Sequence, residues 1–273
     1  MELRRDRKQR LITSRLTFSF FQRFQTYLIR NTKLNNVSIA KALGTLKTFL
    51  GYARKQGIAI DDTYKDFVIK REKLEVIALT QDEFQALLDI DLSTHKKLDH
   101  VRDVFCFSCA TGLRYGDIRQ LSRASIIGDE IKIMVNKTRT ELTIPLNPVS
   151  SAILYKYRNN HKPLPVISSQ NTNLYIKELC KKAGINTPIK IVRFKGTERI
   201  ETVYEKHDLI HIHTGRKTFC TLSLENGMSA EQVMSMSGHS DYKSFKRYVD
   251  ITDRVKRIAM DRAWGELKLR KVI

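Results

Sequence analysis

Between Ile126 and Pro145 the spacing of apolar residues changes from a period near 3.6 to a period of 2, and this switch limits the possible fold more than any other feature. Ile131, Ile133 and Val135 alternate with polar residues, Gly128-Asp129 supplies a tight turn, and Leu142 and Ile144 alternate again beyond Lys137-Thr138-Arg139. Alternation places every second side chain on one face, so the stretch predicts a three-stranded antiparallel sheet with Lys137 in its second turn. A further hairpin is expected around Lys195-Gly196-Thr197, with Ile189 to Val192 before it and Ile200 to Tyr204 after it. The rest of the patterned sequence is helical in period, so the expected class is mainly α with a small antiparallel β-sheet.

The helical segments carry their own start and stop signals. Phe20, Phe21, Phe24, Tyr27 and Leu28 make one apolar stripe. Ile39, Leu43, Leu46, Leu50 and Ala53 make another, with Ser38 as the expected N-cap and Gly57 as the stop. The second of these helices carries Lys41, Lys47, Arg54 and Lys55 off its stripe. Residues 66 to 79 are charged and without helical period, and Thr80-Gln81-Asp82-Glu83 then has the form of a capping box before Phe84, Leu87 and Leu88. These signals divide the chain into a helical domain over 1–72, a linker over 73–79 and a second domain over 80–273.

Charge narrows the function. Lys plus Arg number 49 against 29 acidic residues, a formal net charge of +20, which favours a polyanionic partner through phosphate contacts and counterion release. No apolar run reaches the roughly 20 residues of a spanning helix. The basic start MELRRDRKQR lacks the apolar core of a signal peptide. Cys106, Cys109, Cys180 and Cys220 sit in apolar helical patterns, which points to buried thiols in a reducing, cytosolic setting. His207, His211 and His213 are crowded, yet no carboxylate or thiolate cluster completes a metal site there.

The densest chemistry lies between His211 and Tyr248. His213 and Arg216 are three residues apart in a helical pattern, so both side chains reach one ligand. Ser229-Ala230-Glu231-Gln232 is a second capping box, its helix ends near Gly238, and His239 falls at the turn. A further helix opening at Ser240 or Asp241 carries Tyr242, Phe245 and Tyr248 on one stripe. Two imidazoles, a guanidinium and a phenol are groups suited to holding a phosphate and attacking it.

H-x-x-R, then Gly-His, then a tyrosine nine residues after that His, resembles the tyrosine recombinases, or phage integrases. The TGLR-x-x-D run around Arg114 and Asp117 resembles the first-arginine motif of that family. The resemblance implies a helical core-binding (DNA-binding) domain followed by a recombinase catalytic domain. It also implies cleavage and rejoining of DNA strands through a 3′-phosphotyrosyl intermediate, with Tyr248 as nucleophile and without metal, ATP or other cofactor. Arg114 and Arg216 would hold the scissile phosphate, Asp117 would support the site, His213 would accept a proton and His239 would hydrogen bond to phosphate. Lys137, in the sheet turn, would protonate the leaving 5′ oxygen. Tyr242 stands only three residues after His239 and is not at the family spacing.

The partners implied are double-stranded DNA with specific core sites and a homotetramer on that DNA, with the C-terminal segment 252–267 docking in a neighbour or on its own domain. A DNA-bending accessory protein is compatible with such an assembly, and the expected location is the cytoplasm, with the nucleoid. HTGRKTF and SFKRY are most similar to recombinases of Bacteroides-type elements. Helix-forming sequence begins near residue 17, as in an arm-less recombinase or in part of a longer integrase. Lys41, Lys47, Arg54 and Lys55 are the expected DNA contacts of the first domain. A type IB topoisomerase shares the chemistry, and a non-catalytic DNA-binding regulator shares the charge but gives no reason for the catalytic set.

Overall fold

The computed structural model describes residues 12–72, 74–135, 141–249 and 260–261. It resolves into two compact units, one of residues up to Glu75 together with Lys190–Val203, the other of Val76–Ile189 together with residues from Tyr204 onward.

In the first unit, helix α1 (Phe18–Asn31) buries Phe21 and Leu28, and helix α2 (Asn36–Lys55) buries Ile39, Leu43, Leu50 and Ala53. The apolar stripes form one core with Tyr64 and Phe67 from the turn that follows. The Phe21 ring lies 5.4 Å from Phe67, a tilted contact. The cap of α2 corrects the sequence expectation: the N-cap is Asn35, whose side chain accepts the amide hydrogen of Ser38. Asn35 precedes the helix with extended backbone, and Ser38 lies inside the first turn, where its own amide needs a partner. Lys47 sends its ammonium to the carbonyls of Lys65 and Phe67, at 2.8 and 2.9 Å, tying α2 to that turn.

Strands β4 (Pro188–Lys195) and β5 (Glu198–Glu205) form the expected second hairpin. Its tip joins the N-terminal helices through a reciprocal amide pair, Asn36 Nδ2 donating to Gly196 O at 2.9 Å and Gly196 N donating to Asn36 Oδ1 at 2.8 Å.

The second unit is built on α4 (Lys96–Thr111), which follows α3 (Gln81–Asp89) and is almost continuously buried from Val101 to Thr111. Helices buried on all sides read as apolar throughout, and here Phe105, Phe107, Cys106 and Cys109 fill that role. All four cysteines are free and buried, and burial pushes each thiol above its ordinary range. Packed around α4 are α6 (Pro148–Lys156), α7 (Ser169–Lys182) and α9 (Ile212–Glu225). The one carboxylate deep in α4, Asp103, is matched by Lys156 Nζ and Tyr157 Oη at 2.6 Å each and by Arg102 at 3.0 Å, which offsets its desolvation.

After α5 (Tyr115–Gln120) come strands β1 (Ile126–Ile127), β2 (Glu130–Met134) and β3 (Glu141–Pro145), in the order β1-β2-β3 and antiparallel throughout. The register pairs Ile131 with Ile144 and Ile133 with Leu142, placing the alternating apolar residues on one face. The β2–β3 turn, with Lys137, lies outside the described residues. The short helix α8 (Lys206–Leu209) leads into α9, and α10 (Ala230–Ser237) and α11 (Tyr242–Val249) close the described fold apart from Met260 and Asp261. The expected C-terminal helix over 252–267 therefore falls almost entirely outside the described residues. Among the described residues no helix is long and apolar enough to cross a membrane.

Candidate active site

Helix α4 stops at Gly112, whose backbone is left-handed at φ +69°, and a Cβ there would stand 2.5 Å from the Phe219 ring. The stop leaves the last carbonyls of α4 in need of donors. Asn147 Nδ2 reaches Ala110 O at 2.7 Å, and Arg216 Nη1 reaches Gly112 O at 2.9 Å. A cation at a helix C-terminus is also favoured by the helix dipole. Thus the same guanidinium that caps α4 is fixed in the site, only 2 % exposed.

Beyond Gly112 the chain turns and presents Arg114 as the N-cap residue of α5. Its Nη2 donates to Gly238 O at 3.3 Å. Its Nη1 stands 4.0 Å from Asp117 Oδ2, too far for a hydrogen bond, and both of these buried atoms are without a hydrogen-bond partner among the described residues. Asp117 thus orients Arg114 electrostatically while leaving a donor open.

Gly238 ends α10 with φ +64°, and a Cβ there would come within 2.9 Å of Leu142 Cδ1, so strand β3 packs directly against the turn that presents His239. Ser237, fully buried, gives its hydroxyl hydrogen to Val233 O at 2.5 Å, and its oxygen lies 2.8 Å from His239 Nδ1. That geometry favours a hydrogen on Nδ1; Arg216 Nη2 lies 3.2 Å from both ring nitrogens, and Nε2 is then the one able to accept from it. Sequence patterning passed over Ser237 because a serine at the end of a helix carries no periodic signal.

Tyr248 is 4 % exposed and packs with Phe219, Cys220, Leu224, Val233 and Phe245. Its ring centroid is 5.8 Å from that of His239. Burial raises the phenol above its usual range, against the opposing pull of Arg247, Arg216 and Arg114. Tyr242 is 49 % exposed at the start of α11. His213 stands in the first turn of α9, its ring parallel to that of His211 at 6.2 Å.

The cations act on one another. Desolvation first, and then Arg216, Arg114 and His213, lower His239 to about 3. His213 is exposed at its outer edge, but desolvation by its packed side and then Lys217, Arg216, His211 and Arg114 lower it to about 4. Arg216 is lowered to about 10 by burial and Arg114, and still carries its charge at neutral pH. The structure therefore brings Arg114, Asp117, His213, Arg216, His239 and Tyr248 to one place. It holds both imidazoles neutral beside two guanidiniums.

The depressed imidazoles make stability pH-dependent. The unfolded chain takes up these protons near pH 6.5, while the folded chain resists until about 4 and 3. Stability is fully present above pH 6.5 and is lost as pH falls through that window, by at most about 1.4 kcal/mol per pH unit for the partly buried His239, while solvent screening makes the share of the exposed His213 smaller. His239→Asn, which cannot titrate, should flatten the fall in urea midpoint between pH 6.5 and 4.5; coincident slopes for the two proteins would contradict the depressed imidazole.

In the first unit, Arg54 pairs with Asp62 at 2.6 Å and Lys47 is held by the carbonyls already described, whereas Lys41 and Lys55 are exposed. Lys41 lines a groove of about 400 Å³ with Val37, Gly44, Thr48 and Arg71. Arg71 was not picked out in the sequence because it sits in a segment without period. Among the described residues no group of His, Cys, Asp and Glu could hold a metal ion.

The phage integrase family pattern matches residues 78–254, and that of the phage integrase SAM-like domain matches residues 5–72. Curated relatives include the tyrosine recombinase XerC of Alcanivorax borkumensis, 26 % identical over 224 residues that cover 78 % of this chain and 69 % of that protein. XerD of Staphylococcus epidermidis is 26 % identical over 218 residues, covering 79 % and 72 %. Similar solved structures include a lambda integrase dimer bound to a COC′ core site, with a TM-score of 0.67 at 17 % identity, covering 98 % of this chain and 88 % of that one. The Tn1549 transposon integrase in complex with circular intermediate DNA has a TM-score of 0.66 at 17 % identity, covering 96 % and 90 %. With the two family patterns spanning most of its length and the site formed within residues 78–254, the chain belongs to the phage integrase family, the site-specific tyrosine recombinases.

Proposed function

We propose that Arg114, Arg216 and His239 seat one DNA phosphodiester and that the Tyr248 hydroxyl attacks its phosphorus. The Tyr248 oxygen forms a bond to phosphorus, the bond to the 5′ oxygen breaks, and a 3′-phosphotyrosine remains beside a free 5′ hydroxyl. His213, neutral at physiological pH, takes the phenolic proton, and Lys137 gives one to the leaving oxygen. Guanidiniums suit this step because they stay charged and pair with phosphoryl oxygens in a fork. The phosphate brings an anion to Arg114 Nη1, the donor without a hydrogen-bond partner among the described residues, and favours protonation of His239.

The observation that carries this reading is the convergence of Arg114, Arg216 and His239 beside Tyr248, with His213 next to the two guanidiniums and one buried guanidinium nitrogen without a partner among the described residues. Residues 1–72 would grip the DNA, with Lys41 and Arg71 better placed for phosphates than the already paired Lys47 and Arg54. Residues 80–273 would cut it. A lambda integrase tetramer has been solved on a Holliday junction, with a TM-score of 0.60 at 16 % identity, covering 84 % of this chain and 65 % of that one. By analogy we assign this chain a tetrameric assembly on DNA in the cytoplasm, with the 252–267 segment as its linking element.

Incubation with a nicked suicide duplex carrying its core site, in EDTA and without ATP, should yield a covalent protein–DNA species that survives denaturation. Release of that species by a protease, and sedimentation of the complex as a tetramer, separate a recombinase from a regulator and from a monomeric topoisomerase. Tight binding without any covalent species would overturn the proposal.

A further inference from the structure

We propose that Lys217 and Arg247 form a second anion-binding pair beside the catalytic cluster, which holds the phosphodiester next to the one attacked; this rests on the reading of the site as DNA-cleaving. Lys217 follows Arg216 on α9 and lies one turn beyond His213. Successive helix residues project about 100° apart, so Lys217 cannot share the direction of Arg216, which is buried against Gly112 and His239. Arg247 precedes Tyr248 on α11, and its guanidinium carbon stands 5.9 Å from the Tyr248 ring centroid. The two cations come from helices that pack on each other, with Arg247 against the ring of the nucleophile and Lys217 next in the chain to Arg216.

The electrostatics give this pair a purpose. Lys217 is half-buried, and burial and then Arg247 lower its pKa. His211 is lowered by burial, then by Lys217 and by Lys177 on α7. Among the described residues no carboxylate acts on Lys217, His211 or His213, and the charged influences on them are cations or another imidazole. Partly burying an ammonium beside like charges is unfavourable unless an anion arrives. A DNA strand brings one negative charge per nucleotide, so a strand whose scissile phosphate lies on Arg114 and Arg216 presents the adjacent phosphate to this flank. Phosphate contacts position the strand and carry no sequence information, so the pair fixes the register of the scissile bond under Tyr248.

The test uses the full chain and suicide duplexes with a single neutral methylphosphonate linkage placed in turn on either side of the scissile phosphate. Single-turnover covalent capture by the unaltered protein should slow about tenfold at one of these positions. Lys217→Gln/Arg247→Gln should capture all-phosphate DNA about tenfold more slowly and show no further loss from that same linkage. Lys217→Arg/Arg247→Lys, which keeps both charges, should recover both the rate and the sensitivity to the linkage, which a merely structural role would not produce. Multiplying defects at both neighbouring positions, or a glutamine variant as fast as the original, would overturn the pair. Failure of the unaltered protein to capture all-phosphate DNA would instead overturn the reading of the catalytic site.

Discussion

Tyr248→Phe should bind core-site DNA as tightly as the unaltered protein and form no covalent species with it. The phenyl ring keeps every packing contact that the structure gives Tyr248, with Phe245 at 5.4 Å and His239 at 5.8 Å between centroids, so α11 and the turn before it stay in place. Only the oxygen is lost, and a nucleophile has no partial substitute: the covalent product falls to zero, where a positioning residue would leave a residual rate. Tyr242→Phe removes a hydroxyl from a residue 49 % exposed at the head of the same helix and should leave the covalent species intact. Mobility shift with intact duplex reports binding, and denaturing electrophoresis with the suicide duplex reports linkage. The assignment is sunk if Tyr242→Phe loses the covalent band while Tyr248→Phe keeps it.

The two tyrosines show how much of the site could be read from the chain. Spacing from His239 separated them, and the structure buries the one and exposes the other. His213 and Arg216 were legible because i and i+3 share a helix face, and Thr80 with Glu83 and Ser229 with Gln232 because a capping box is local. The β1–β3 sheet was legible because period 2 needs no distant partner to be recognised. Features that depend on distant residues were not legible. The Ser237 oxygen beside His239 Nδ1, the Gly112 carbonyl that holds Arg216 and the Leu142 side chain under Gly238 meet the site only after folding. The pairing of Asn36 with Gly196 joins residues 160 positions apart, and it places the second hairpin with the N-terminal helices, although a sequential division assigns it to the C-terminal part. Lys47 and Arg54 read as free cations because sequence shows that a residue lies off the apolar stripe but not which carbonyls or carboxylates come to meet it.

Arg114→Lys and Arg216→Lys should each lower the single-turnover rate of covalent linkage on the order of 10²- to 10³-fold, about 3–4 kcal/mol of transition-state stabilisation, as for loss of one preorganised oxyanion donor. Charge is conserved in both, so the loss reports the fork: a lysine cannot bond a carbonyl and a phosphoryl oxygen from two fixed nitrogens. The two variants should differ in stability. Arg216 is 2 % exposed and caps the end of α4 through Gly112 O, so its replacement also leaves that carbonyl without its donor and lowers the urea midpoint. The side chain of Arg114 is 24 % exposed and its Nη1 has no hydrogen-bond partner among the described residues, so Arg114→Lys should unfold close to the original midpoint while cleaving as poorly. The comparison separates chemistry from folding, because a protein of ordinary stability that fails to cleave has lost a phosphate contact and not a scaffold. If Arg114→Lys cleaved within about threefold of the unaltered protein, the open donor would not face the phosphate. Combining the two substitutions should cost less than the product of the separate losses, since both guanidiniums act on the same pair of oxygens and the first removal already disturbs the seat of the second.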